Sequence, residues 1–332
     1  MQIDQNIKDE NVIRIHASEI IIEECDFNGV VPEKIDYDEE NQEVRFVFSQ
    51  SLKKNLADEN ILSLKFTGYV NNKMKGLYRS QYKNADNQIA WSATTHMEPT
   101  GARLAFPCFD EPSFRPVWKI SVKSEKDKTV LSNMDIKSVE NLEENDENLK
   151  ITHFNPTPPM PSYLVAFIVG EFDYLEKSTK NNIPIRVFTP PGQKEKGRLA
   201  LDYGVKCVDF YEEFFDIKYP LPKMDMIGIQ DYPLGGMENW GLITYSMKRL
   251  IYEEGVDSLA LRSHIFELIA HEIAHMWFGN FVTIEWWTHL WIKEGFATFM
   301  QYYSTARLDQ VSKPWDSFYL RYWVAGYELE KF

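Results

Sequence analysis

The stretch IAHEIAHMWFGN, residues 269–280, constrains this chain more than any other, because it asks for a helix with two histidines on one face. His271 and His275 are four residues apart, which on a helix sets them one turn above each other. Imidazoles so placed reach a single Zn2+ at about 2.0–2.1 Å. Glu272 neighbours the first histidine but points off its axis, where it can face a metal-bound water without ligating the metal. Zinc with three protein ligands and a water lowers that water's pKa towards ~7, and a nearby carboxylate can take the proton. The third ligand has to be an Asp, Glu or His on another element. Glu294, in WIKEGFATF on the next predicted helix, follows a short loop and suits an antiparallel return to the metal. The spacing therefore predicts a Zn2+ site, one per chain, with His271, His275 and Glu294 as ligands and Glu272 as the base. A chance H-E-x-x-H in a chain of this size is on the order of 1%, and a glutamate required at one later position lowers that roughly tenfold. A buried helix with incidental histidines starts well behind.

Other histidines lack such a setting. His264 shares the helix face with His271, but two turns put it about 10 Å away along the axis. His289 falls in a loop or at a helix start, where capping or packing is its expected role. His16 and His96 lie in strand-rich sequence without partners. None of the four is expected to bind the metal.

Upstream of the metal helix the period is two. Val44, Phe46 and Phe48 alternate with Glu43, Arg45 and Val47, and Leu62, Leu64 and Phe66 alternate with Ser63, Lys65 and Thr67. That is the pattern of half-buried antiparallel sheet. Further β-rich stretches are Val117–Val122 and Tyr163–Phe172, with an acidic run at Glu140–Leu149 read as an exposed loop. Polar KSTKNN at 177–182 is the expected domain boundary. Beyond it, Leu199, Tyr203, Cys207, Phe210 and Phe214 recur at helical spacing, and that helix has to end before the two prolines of YPLP at 219–222. A second helix is expected from an N-cap at Asp257 to Gly279, and a third from near Thr288. The chain thus divides into a β-rich part, 1–176, and an α-rich part, 177–332, an α+β multidomain arrangement.

Composition narrows the partners. The chain has 332 residues, 44% hydrophobic and 26% charged, which describes a globular protein with room for large cores. A net charge of −14 argues against nucleic acid, whose phosphates select basic surfaces. No apolar run is long enough to span a bilayer. The polar start MQIDQNIKDE lacks the apolar core of a signal peptide. There is no permitted glycosylation sequon, and Cys25, Cys108 and Cys207 are too few and too scattered for a disulfide framework. Together these features predict a cytoplasmic location.

The residues around the metal helix carry a family likeness. HEIAHMWFGN followed by EWWTHLWIKEGFA, preceded by GGMENWGLITY at 235–245, resembles the zinc aminopeptidases of family M1. MEPTGARLAFPCFDEP at 97–112 and LSNMDI at 131–136 are similar to stretches of that family's N-terminal β domain. The likeness runs in order from about residue 11 to the end, and is nearest the puromycin-sensitive and endoplasmic-reticulum aminopeptidase branch. It implies a saddle-like antiparallel β domain lacking its first strands, then the front of a thermolysin-like, mainly helical catalytic domain. It implies peptide substrates with a free N-terminal amine, cationic at or below a pKa of about 7.7–8.0. Glu238 matches the family's amine-binding glutamate, and Glu98 matches a second position that the β domain lends to the same pocket. Gly235, Gly236 and Met237 are expected to lie alongside the substrate as an edge strand. Outside the likeness, GGMEN is just a glycine turn.

The resemblance also implies an oxyanion-stabilising tyrosine, expected beyond Phe332. Tyr302, Tyr303, Tyr319, Tyr322 and Tyr327 come too early and are expected to pack. Three alternatives stand beside the aminopeptidase. One is a lipid-epoxide hydrolase like leukotriene A4 hydrolase, which shares GGMEN. Another is a weakly active or silent zinc- and peptide-binding fragment. The third, an endopeptidase, is disfavoured by Glu98 and Glu238.

Overall fold

A computed structural model describes residues 11–52, 60–84, 86–142, 148–309, 311–324 and 326. Residues 1–10, the middle of the acidic run at 143–147, and Tyr327 lie outside the described residues, as does the side chain of Tyr322.

The strand-rich part forms antiparallel sheets, as the period of two predicts. Glu43–Val47 is the centre of a three-stranded sheet between Val12–His16 and Lys34–Asp38. Its inward residues Val44 and Phe46, with Phe48 beyond, are buried in a small core of their own. Leu62–Thr67 pairs with Ile21–Phe27, and there the expectation fails at one position. Phe66 is exposed, because a bulge between Ile22 and Glu24 bends the two-stranded ribbon opposite it. Two other expected strands are shorter than predicted. Ser121–Glu125 begins four residues late, since Pro116 and Trp118 bond irregularly to Met160 and Thr157. Phe167–Gly170 is preceded by a tight turn at Ser162–Leu164 rather than by more strand.

A four-stranded sheet runs in the order Gly76–Lys83, Ile89–His96, Phe167–Gly170, Thr129–Ser132. A five-stranded sheet follows in the chain, ordered Asp173–Ser178, Pro184–Thr189, Met224–Ile229, Leu242–Ser246, Gly236–Met237. Its middle three strands are parallel, and two of them are buried at every residue, as continuous apolar runs in a covered sheet should be. Lys177–Asn182, the polar stretch read as the boundary region, spans the turn of the first hairpin of this sheet. The strand Asp173–Ser178 already belongs to the five-stranded sheet, so the change from one sheet to the next precedes Asp173.

Three long helices follow: α1 (Arg198–Phe215) and α2 (Leu259–Ala274) pack on this sheet, and α3 (Leu290–Leu308) packs on α2 and α1. The buried stripe of α1 is Ala200, Tyr203, Gly204, Cys207, Val208 and Tyr211, while Phe214, expected inside, is exposed and packs on Phe210 and Tyr303. Helix α2 is capped by Ser258, whose hydroxyl accepts from Leu261 N; Asp257 instead accepts from Glu253 N. It ends at Ala274, short of the expected Gly279, because single turns take over after His275. One continuous core joins the halves, from Tyr78, Met97 and Leu164 to Ile243, Ile269, Ile273 and Met300. Among the described residues no helix is long and apolar enough to cross a membrane.

Candidate metal centre and amine pocket

The last turn of α2 and the first of α3 converge. His271 Nε2 lies 3.1 Å from His275 Nε2 and 3.3 Å from Glu294 Oε2, and His275 Nε2 lies 3.7 Å from the same carboxylate oxygen. A tetrahedral ion with bonds of about 2.0–2.1 Å has ligand–ligand edges of about 3.3–3.4 Å. The three observed edges bracket that value, so the donors fit a small tetrahedral metal ion. Orientation agrees: His275 Nδ1 donates to Phe278 O at 2.9 Å, which leaves Nε2 to face the other two donors. Gly279 sits at φ +139 beside that ring, and a Cβ there would stand 3.1 Å from His275 Nδ1.

The electrostatics call for positive charge at this point. Burial lowers the pKa of His275, yet the Glu238 carboxylate and the bond to Glu294 outweigh it and push it up to about 9. Burial holds His271 below its ordinary value, against the pull of Glu294. The carboxyl of Glu294 is opposed by burial but held far below the usual range by its bonds to both histidines.

Glu272 is buried beside these groups without joining the triangle. One of its carboxylate oxygens lies within 4.8 Å of donors from both Glu238 and His275. Burial, with the nearby charge of Glu238, raises its pKa well above the usual carboxylate value. The edge strand Gly236–Met237 passes directly over it: a Cβ on Gly236 would stand 2.4 Å from Glu272 Oε1. Gly236 and Met237 pair with Tyr245 and Thr244, and Gly235 O accepts from Ser246 N, which holds the strand at the margin of the sheet. Such an edge can receive an extended chain.

Glu98 and Glu238 meet beside the triangle of His271, His275 and Glu294, within 4.8 Å of Glu294. Both contact one ammonium group, that of Lys293, with Glu98 Oε1 at 2.5 Å and Glu238 Oε1 in a short hydrogen bond. Lys293 Nζ also lies 3.3 Å from Glu294 Oε1 and 5.3 Å from the centre of the Tyr163 ring. Its side chain is buried, yet Glu238 and Glu98 outweigh burial and keep it protonated. Glu238, resisted by burial, is held below its ordinary value by Lys293 and His275. Glu98 is pushed up to about 7 by burial and by Glu238, against the pull of Lys293. Asn280 Nδ2 donates to Glu238 O at 2.9 Å, so the turn after α2 also holds Glu238 in place.

The structure thus brings together His271, Glu272, His275, Glu294, Glu98, Glu238 and the Gly235–Met237 strand. Lys293 and Asn280 were not foreseen. The one local signal for Lys293 is a lysine in the apolar first turn of α3, directly before Glu294. Among the described residues, the groups able to hold a metal include none of the four histidines set aside. His16 Nδ1 accepts from Asp110 N, His96 stacks on Tyr232, and His289 is exposed ahead of α3. Tyr302 packs on Phe318 and Tyr303 on Phe214.

Comparison with known proteins accounts for this geometry. The pattern described as Peptidase M1 N-terminal domain matches residues 1–164, and that described as Peptidase family M1 domain matches residues 199–329. The chain is 49% identical over 241 residues to puromycin-sensitive aminopeptidase of Caenorhabditis elegans, which covers 73% of this chain and 25% of the relative. It is 39% identical over 309 residues to "Aminopeptidase 2, mitochondrial" of Saccharomyces cerevisiae, covering 93% of this chain and 32% of that protein. To Aminopeptidase M1 of Arabidopsis thaliana it is 44% identical over 258 residues, 78% of this chain and 29% of the relative. The chain therefore spans between a quarter and a third of the length of these relatives. With an N-terminal sheet region and a following helical region matched in order, the chain belongs to peptidase family M1.

Proposed function

We propose that the chain carries the zinc and amine-binding site of an aminopeptidase that releases the N-terminal residue of peptides. The observation that supports this best is the His271, His275 and Glu294 triangle with the Glu98 and Glu238 pair set beside it. His271, His275 and Glu294 would hold Zn2+, which supplies a Lewis acid and a water acidified towards ~7. Glu272, with its raised pKa, is suited to take a proton and hand it to the leaving amine.

Charge balance supports amine recognition. With both carboxyls ionised, Glu98, Glu238 and the Lys293 ammonium leave one negative charge, and a cationic α-amine would neutralise it and favour the ionised form of Glu98. A charge-assisted contact of that kind contributes about 1.5–3 kcal/mol. The Gly235–Met237 strand would pair with the substrate backbone, and its glycines leave room for that approach. All three cysteines are free and buried, which suits the reducing cytoplasm that we propose as its location.

The test combines metal analysis with hydrolysis of an amino-acyl chromogenic amide and of its N-acetylated form. We expect one zinc per chain, cleavage of the free amine only, and a Glu272→Gln variant that keeps its zinc but loses hydrolysis. Loss of metal in that variant would overturn the role of Glu272. Equal cleavage of the acetylated substrate would overturn the exopeptidase. A zinc-loaded chain that binds peptide without cleaving it would instead be the silent binding fragment.

A further inference from the structure

The loop that leads into Gly235 is held by the strand-rich half at one residue, Asp231. Its Oδ2 accepts from Gln81 N at 2.9 Å and from Ser80 Oγ at 3.1 Å. Its own N–H donates to Ser80 Oγ at 2.9 Å, and its carbonyl accepts from Tyr78 Oη at 3.1 Å. Tyr78, Ser80 and Gln81 belong to the strand Gly76–Lys83, which pairs along its length with Ile89–His96. Two residues past His96 that hairpin delivers Glu98.

The next residue extends the connection. Tyr232 stacks on His96 with ring centres 5.5 Å apart, and its hydroxyl shares a 2.7 Å hydrogen bond with Thr244. Thr244 is the cross-strand partner of Met237 and accepts from Asn239 Nδ2 at 3.0 Å. One hairpin therefore carries Glu98 at its end and, through Asp231 and Tyr232, grips the segment that presents Glu238.

We propose that Asp231 is a positioning residue for amine recognition. It sets the separation of Glu98 and Glu238, and with it the preference for a free N-terminal amine over a blocked one. This rests on the amine-binding role proposed above for those two glutamates. Asp231 touches neither of them; it acts through the registration of two chain segments. Hydrogen bonds to a carboxylate are about twice as strong as neutral ones, which suits a brace at the mouth of a binding pocket. Recognition by converging groups falls off when they are held even slightly too loosely.

The experiment uses the full chain carrying Glu272→Gln and loaded with zinc, so that binding is read without turnover. Calorimetry compares Ala-Ala-Ala with N-acetyl-Ala-Ala-Ala, and metal content is measured on every sample. Adding Asp231→Ala should lower the preference for the free amine about tenfold at unchanged zinc content. Asp231→Asn keeps an acceptor for Gln81 N and should restore most of the preference, which a role in bulk charge would not allow. Ser80→Ala, a smaller change at the same brace, should act in the same direction and decides the matter where Asp231→Ala fails to fold. An unchanged preference in the folded variants overturns the positioning role. A parent that holds zinc but does not distinguish the two peptides overturns the amine pocket itself.

Discussion

Lys293 Nζ, buried in the first turn of α3, lies 2.5 Å from Oε1 of Glu98, which follows a hairpin of the strand-rich half. The same ammonium bonds Glu238 beneath the edge strand, so one side chain ties three segments of the fold together. Replacing Lys293 with Met would leave two buried carboxylates facing each other without their cation. Removing one partner of a buried pair costs about 3–5 kcal/mol. Glu98→Gln should cost less, about 1 kcal/mol, because burial already biases that carboxyl towards its neutral form. Urea unfolding of both variants checks the order, and a Lys293→Met protein as stable as the parent would refute the assignment of the ammonium as the tie.

Two histidines, half-buried His16 and buried His96, each contribute a pH dependence of definite sign. Burial, with the charge of Arg103, lowers the pKa of His16, and burial lowers that of His96. Protonation of His16 Nδ1 would also break the bond it accepts from Asp110 N. A histidine depressed below its unfolded value of about 6.5 favours the native state above that pH, and the benefit is lost as pH falls towards the folded value. The contribution of these two groups to stability should therefore decline from pH ~6.5 downward, by at most about 1.4 kcal/mol per pH unit each, against the opposite trend of the raised Glu98 and Glu272 carboxyls. His16→Gln should flatten part of that slope. An identical slope in the variant would place the acid sensitivity elsewhere.

Features carried by local spacing were legible in the sequence. Alternation at Val44, Phe46 and Phe48, the four-residue gap between His271 and His275, and Glu294 on the following helix each follow from the geometry of a single element. Lys293, Asn280 and Asp231 were not legible. Each acts on a residue distant in sequence, and a lysine that will be buried against Glu98 is spelled the same as one facing solvent. The hairpin turn at 177–182 was not legible for a similar reason. A polar hairpin turn inside a sheet and a polar linker between domains use the same residues for the same backbone reasons.

Metal binding should be visible as stability. The three donors are already oriented, so zinc ought to bind the native state and raise its melting temperature up to one equivalent. Free zinc at about a thousand times its dissociation constant would add about 4 kcal/mol. His275→Ala should abolish the increment while leaving a folded protein, and a chelator should reverse it in the parent. A zinc-dependent shift that survives His275→Ala would mean that the ion binds elsewhere.

The last prediction concerns the closeness of Gly236 to the buried carboxylate of Glu272. A Cβ at Gly236 would approach Glu272 Oε1, Cδ and Cγ at 2.4, 2.6 and 2.8 Å. The carboxylate end could move aside for a methyl group, but a β-branched side chain would also fill the space into which it moves. Gly236→Val should therefore displace the proposed base without touching His271, His275 or Glu294. Zinc content should stay at the parent level while hydrolysis of an amino-acyl amide falls about a hundredfold, the lower part of the range typical for a general base. Measuring both on the same sample separates this from unfolding. Parental turnover in a folded, zinc-loaded Gly236→Val protein would show that the strand above Glu272 does not constrain it.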